Sequence, residues 1–212
     1  MMQQNRTPSS LTLPLRELLE DASREFYDLH DLTVIEEDAQ DLSLGSIEIK
    51  GSSFAGCSFL DSRFDGTGLD RVSFRNCDLS GCSFSGCGLR EVTFSGCRMM
   101  GTNFTDCTLS HCRLEDCQGK YMGLVVCDLK HTALEDCTLM GGSLSRSKLG
   151  KAKVDRCDFT RCDFSGAELT GLDFSRCTIE GATWTIGSLK HVTVTTAQAV
   201  ELSRLMGLNI VP

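Results

Sequence analysis

The sequence has no stretch approaching 18 consecutive apolar residues, and its N-terminus carries no hydrophobic core of a signal peptide. Those two absences point to a soluble, cytoplasmic protein with no membrane span. A Gly-rich phosphate loop is also missing, because the glycines follow a repeat instead of clustering. No Ser, His and Asp constellation can be read, since the serines fill repeat positions and the four His lie at turns or in the N-terminal segment. Zinc sites want Cys pairs two to four residues apart, whereas here the closest, such as Cys107, Cys112 and Cys117, are five apart. No enzyme, cofactor or metal centre is therefore expected. Thirteen Cys would imply disulfides in a short secreted domain, but this chain of 212 residues is long and unsignalled. The expectation is reduced thiols acting as small buried fillers.

What the sequence does have is a five-residue period. Apolar residues recur at every fifth position from Ile49 to Val194, and Gly119 alone breaks that column. Ten of the eleven Phe and the single Trp, Trp184, stand in it. All 13 Cys stand two places earlier, in a second column of small residues. A unit with two inward residues separated by one outward residue is a very short extended segment followed by a corner, which Gly and Ser tolerate. Four corners close a square coil of 20 residues, so positions 20 apart become neighbours in a solenoid stacked at about 4.8 Å. Cys57, Cys77, Cys97, Cys117, Cys137, Cys157 and Cys177 then form one sulfur ladder. Size deviations are compensated at the same spacing: Met99 lies below Gly119, and Thr102 and Gly142 flank the oversized Met122.

Three segments follow. Residues 1 to 46 form an acidic tail and cap, 47 to 194 the β-helix, and 195 to 212 a C-terminal helix and tail. Residues 1 to 13 read as a mobile tail. From Pro14, the spacing of Leu15, Leu18, Leu19, Ala22 and Phe26 predicts a short amphipathic capping helix with Pro in its first turn. Leu32 to Ile35 reads as extended, and Glu36 to Asp38 as a solvated loop. At the other end, Thr195 and Thr196 can cap a helix from Ala197 to Met206 that Gly207 stops. Leu202, Leu205, Met206 and Leu208 are its apolar residues, with Ile210 beyond, and they can either close the solenoid or join two copies.

The units Cys77 to Gly81, Cys82 to Gly86 and Cys162 to Gly166 resemble the pentapeptide repeat family. That resemblance implies an all-β solenoid, a right-handed quadrilateral β-helix. Gln198 to Leu208 and Cys117 to Leu124 further resemble the Qnr and MfpA group within it. For that group the resemblance implies a homodimer through the C-terminal helix. It also implies a DNA-mimicking rod that binds DNA gyrase or topoisomerase IV without contacting nucleic acid itself and shields the enzyme from quinolones. The sequence departs from the group in two ways: the register runs without a projecting loop, and an acidic N-terminal extension precedes it.

The formal charge is −8, and residues 1 to 46 hold ten acids against three Arg, so the repeat tract is close to neutral. Within it, Glu115, Glu135 and Asp155 fall in one outward column and Asp116 and Asp136 in the next. Like charges about 5 Å apart repel by about 0.8 kcal/mol even in water, so stability does not ask for this arrangement. These five residues are the candidate partner-binding row, with Arg113, Lys153 and Arg156 placed to offset part of the charge. A solvated face laced with salt bridges is the other reading, and a generic protein-binding scaffold the other function. His111 and His131 stack on a different face, too few for a metal site.

Overall fold

The computed structural model describes residues 13–208 and 211. Residues 1–12 of the tail expected over 1–13, and Ile210, lie outside the described residues; Leu13 is exposed. Elsewhere the chain is a parallel stacked-coil β-solenoid of about eight turns, with a short helix at its N-terminal end and another at its C-terminal end.

Pairing at a spacing of 20 residues holds on all four faces. On the first face Leu29, Ile49, Leu69, Leu89, Leu109 and Leu129 stack in register. On the second face Val34, Phe54, Phe74, Phe94, Leu114, Leu134 and Val154 do so. The third and fourth faces are joined mostly by single bridges, such as Asp38 to Ser58 and Ser43 to Arg63. The ladder therefore begins one coil before residue 47, at Leu29, inside the segment read as a cap.

The central column is buried from Ile49 to Trp184, with Leu189 and Val194 half-buried at its end, and its aromatic rings stack at the coil spacing. Phe64, Phe84 and Phe104 follow one another at 4.8 and 4.9 Å, and Phe164 meets Trp184 at 4.4 Å. Each fully buried Phe or Leu contributes about 1.5–3 kcal/mol. Gly119 is filled from within its own coil, since the thioether of Met122 lies where a side chain would project. Met122 in turn forces a glycine above it, because a Cβ on Gly142 would stand 2.5 Å from the Met122 carbonyl oxygen.

All 13 Cys are free and buried, and they do more than fill space. Cys57, Cys77, Cys97, Cys117, Cys137 and Cys157 each donate to a backbone carbonyl 23 residues earlier, in the coil below. Ser62, Thr102, Thr132 and Ser147 do the same through hydroxyls. The small column thus ties coils together, and Cys, Ser and Thr are interchangeable there as buried donors.

Helix α1 (Leu15–Glu25) buries Leu15, Leu18, Leu19 and Ala22 on the open end of the solenoid. Phe26 does not join them: it ends the helix in the left-handed conformation and is 77% exposed. Pro14 stands at the N-cap, one place outside the first turn. Glu37, read as part of a solvated loop, instead accepts a hydrogen bond from the Leu15 N–H at 2.6 Å, so the acidic run also caps the helix. Helix α2 (Thr196–Ser203) starts with a capping box between Thr195 and Gln198 and passes into a 3-10 turn, Arg204–Met206, closed by Gly207.

Candidate functional site

The second face carries the acidic columns. Strand pairing sets Glu115 beside Glu135 and Glu135 beside Asp155, one coil apart. Asp116 and Asp136 hold the adjoining corners in the left-handed conformation, with φ of 52° and 54°. The structure brings together all five residues picked from the sequence, but it also threads cations between them. Arg113 bonds Glu115 at 2.8 Å and lies 3.8 Å from Glu135. Lys153 bonds Glu135 at 2.8 Å. Arg156 holds Asp136 at 2.5 Å and also reaches Asp155. Arg176, which the sequence reading missed, closes on Asp155 at 3.1 Å; its signal was its place 20 residues beyond Arg156.

Electrostatics follow this pairing. Lys153 holds the Glu135 carboxyl below the usual carboxylate range, and Arg156 does the same to Asp136. Asp155 is only 8% exposed, so its carboxylate faces its two arginines and not solvent. Among the described residues, Asp116 alone of the five has no ion pair. The face is a lattice of alternating sign, not a row of bare negative charge.

The third face differs. Its outward acids are Asp38, Asp41, Asp61, Asp78, Asp158 and Glu180, against Arg98, Lys120 and Arg161, and among the described residues Asp78 alone of these acids is ion-paired, to Arg98 at 2.8 Å. Met100 and Tyr121 stand exposed among them, with the Lys120 ammonium 5.0 Å from the Tyr121 ring centre. On the first face His111 and His131 stack at 5.0 Å beside Lys130, Lys148 and Lys151, over a shallow depression of about 530 Å³. Among the described residues no group of three or more His, Cys, Asp or Glu is placed to hold a metal ion, and no helix is long and apolar enough to cross a membrane.

At the C-terminal end, Gln198 docks α2 on the last coil through the carbonyls of Phe174 and Cys177, at 2.9 and 2.8 Å. Leu202 is half-buried against the core. Leu205, Met206 and Leu208 are exposed, together with Ile186 and Val200, which the sequence reading did not include. The four residues picked from the sequence therefore divide into one that closes the solenoid and three left uncovered.

Comparison with known proteins concerns the fold. HetL, a pentapeptide repeat protein involved in heterocyst differentiation regulation from the cyanobacterium Nostoc sp. strain PCC 7120, is 17% identical with a TM-score of 0.44, covering 85% of this chain and 94% of its own. A trypsin-treated form of QnrB1, a plasmid-mediated fluoroquinolone resistance protein, is 20% identical with a TM-score of 0.41, covering 87% and 90%. A pentapeptide repeat protein of the Arabidopsis thaliana thylakoid lumen is 21% identical with a TM-score of 0.25, covering 78% and 75%. No curated protein matches the sequence. The model of a pentapeptide repeat region matches residues 47–124 and 67–144, and that of pentapeptide repeats, in eight copies, matches 143–181. With both models tracking the same five-residue register that builds the four faces, the chain belongs to the pentapeptide repeat family.

Proposed function

We propose that the chain is a non-enzymatic binding rod, read by a protein partner through its outward columns and paired with a second copy through its C-terminal end. The observation that supports this is the division of labour within the repeat: the periodic residues are buried, and chemistry is left only to the outward positions. The uncovered Leu205, Met206 and Leu208 form the dimer contact, with Leu202 anchoring the helix that presents them. Light scattering coupled to size exclusion then reads twice the 23.2 kDa of one chain, and Leu205→Asp with Met206→Glu returns the single-chain mass. A single-chain mass for the unaltered protein removes the dimer from this reading.

The partner named by the resemblance of the C-terminal helix is DNA gyrase or topoisomerase IV, met at a basic DNA-binding surface and so protected from quinolones. Glu115, Asp116, Glu135 and Asp136 supply charge to that contact, while Asp155 holds the cations in place. Gyrase supercoiling measured with the purified protein, with and without a quinolone, tests it. A changed rate that Asp116→Lys weakens supports the reading, and an absence of both binding and effect overturns it.

The ion-paired lattice favours a second reading, a general protein-binding scaffold, because paired charges present alternating sign to a partner. This reading carries no topoisomerase role, so an absence of binding to both gyrase and topoisomerase IV counts for it.

A further inference from the structure

On the second face the regular ladder is interrupted between two coils. Lys153 donates down to the Thr132 carbonyl at 2.9 Å, and Phe174 donates up to the Thr193 carbonyl at 2.9 Å. Between these coils, however, no backbone hydrogen bond joins Ala152–Arg156 to Leu172–Arg176 among the described residues. Elsewhere on the second face this contact is continuous from Thr33 to Asp155.

Four further observations locate the same opening. A cleft of about 340 Å³ lies there, lined by Ala152, Lys153, Val154, Asp155, Leu172 and Arg176 among others. The core is less sealed beside it, with Val154 at 6% and Cys177 at 7% exposure against 0% for Leu134 and 2% for Cys157 one coil earlier. Cys157 donates to the Leu134 carbonyl at 3.3 Å, but Cys177 makes no such bond to Val154. Finally, Lys151 stays out of the left-handed region that His111, His131 and Gly171 occupy at the same corner. The third face keeps its bonds, Thr178 to Cys157 at 2.9 Å and Phe159 to Thr178 at 2.8 Å. The last coils are thus hinged along the third face and parted at the second.

The two lips of this slot are not equivalent. On the upper lip, the Ser175 N–H is already taken by the Asp173 carboxylate at 2.8 Å. The lower lip offers the Ala152 carbonyl, the Val154 N–H and carbonyl, and the Arg156 N–H, alternating acceptor and donor as the edge of a parallel ladder does. The slot is lined by Val154, Ala152 and Leu172 with Lys153, Asp155, Asp173 and Arg176 around them, and the Asp155–Arg176 ion pair at 3.1 Å crosses from the lower lip to the upper. A volume of about 340 Å³ falls within the usual range of ligand pockets.

We propose that this slot is a binding site for an extended, centrally uncharged segment of a partner protein, which adds as a parallel strand to the edge formed by Lys153–Asp155. Main-chain hydrogen bonds from Val154 and Arg156 hold the segment, and short apolar side chains enter over Val154. The inference rests on reading the chain as a protein-binding rod, but its test requires no particular partner.

The probe is a synthetic peptide with the sequence of residues 190–196, Lys-His-Val-Thr-Val-Thr-Thr, because that segment already forms such a ladder against Leu172 and Phe174. Amide hydrogen exchange of the full chain is measured with and without it. In the free protein the Val154 and Arg156 amides exchange at least tenfold faster than that of Asp136, which is bonded to the Asp155 carbonyl at 3.1 Å. Saturating peptide slows both at least tenfold, and the same peptide N-methylated at the residue matching Thr193 does not. The proposal is overturned if Val154 and Arg156 are as protected as Asp136 in the free protein. It is equally overturned if the peptide leaves them fast, or if the N-methylated peptide slows them as well. A failure here leaves the supercoiling and dimer measurements untouched.

Discussion

Replacing Ser147 by alanine tests how the small column holds adjacent coils together. The Ser147 side chain is fully buried; its hydroxyl accepts from the Cys127 N–H at 2.7 Å and donates to the Leu124 carbonyl at 2.6 Å. Those two backbone groups are the ends of a corner turn, and the hydroxyl has inserted itself between them. Ser52 and Ser62 accept in the same way from Leu32 and Leu42. Where the residue above is not serine the turn can close on itself: Cys87 bonds the Phe84 carbonyl at 3.1 Å beneath Cys107, and Ser147 bonds that of Leu144 at 3.3 Å beneath Ala167. If alanine stranded both groups, each would cost about 1–3 kcal/mol, or roughly 2–6 in all. If the turn closes as it does beneath Ala167, the loss is one net hydrogen bond, about 1 kcal/mol. The second outcome is expected for Ser147→Ala, with a fall in Tm of about 2–4 °C for a chain of this size. Ser147→Cys should be nearly neutral, since Cys127 shows a thiol donating to the Phe104 carbonyl from the coil above. Urea unfolding followed by circular dichroism gives both values. A loss above about 3 kcal/mol refutes the closing turn, and no loss at all refutes a contribution from the hydroxyl.

Other substitutions probe the compensated core and the thiols. Gly142→Ala places a Cβ 2.5 Å from the Met122 carbonyl oxygen and 2.9 Å from that of Leu139, both backbone; the coils must shift, at a cost on the order of 1–3 kcal/mol in the same unfolding assay. Gly119→Ala meets only the Met122 side chain, its thioether at 3.2 Å and its Cβ at 3.3 Å, and no backbone, so it should cost less, and Gly119→Leu should recover stability when combined with Met122→Cys. Burial pushes the thiols of Cys82, Cys87 and Cys162 from the ordinary 9.0 up to about 12. The folded state therefore keeps protons that the unfolded chain releases, and their stabilising effect, complete below pH 9, is lost as pH rises toward 12. Urea midpoints at pH 7, 9 and 10.5 check that slope. Ellman's reagent at pH 8 should find no fast thiol in the native chain and 13 after unfolding.

The fold was legible because a five-residue period leaves the backbone few choices. Once Phe84 and Cys82 point inward, every equivalent residue must do so, and the stacking of residues 20 apart follows. The period also hid things. It read Leu29 and Val34 as part of a cap, because Glu37 interrupts the small column of the first coil, yet that coil pairs like the others. Phe26 fitted a helical stripe, but the chain turns there, one residue past α1, and the ring is left exposed.

Of the candidate site, the sequence placed Glu115, Asp116, Glu135, Asp136 and Asp155 in neighbouring columns, since column membership is arithmetic. Which carboxylates are paired is a different matter. Arg113 and Lys153 project beside Glu135, and Arg156 and Arg176 converge on Asp155, through side-chain reach across coils that no residue count contains. The slot above Val154 is a property of the same kind. By itself the sequence determined which residues face the core and which neighbours stack, because both follow from a fixed period and burial of apolar surface. Only the tertiary structure decided where charge is neutralised and where the ladder parts, because those depend on distances between coils, and a corner such as Lys151 changes them without leaving the register.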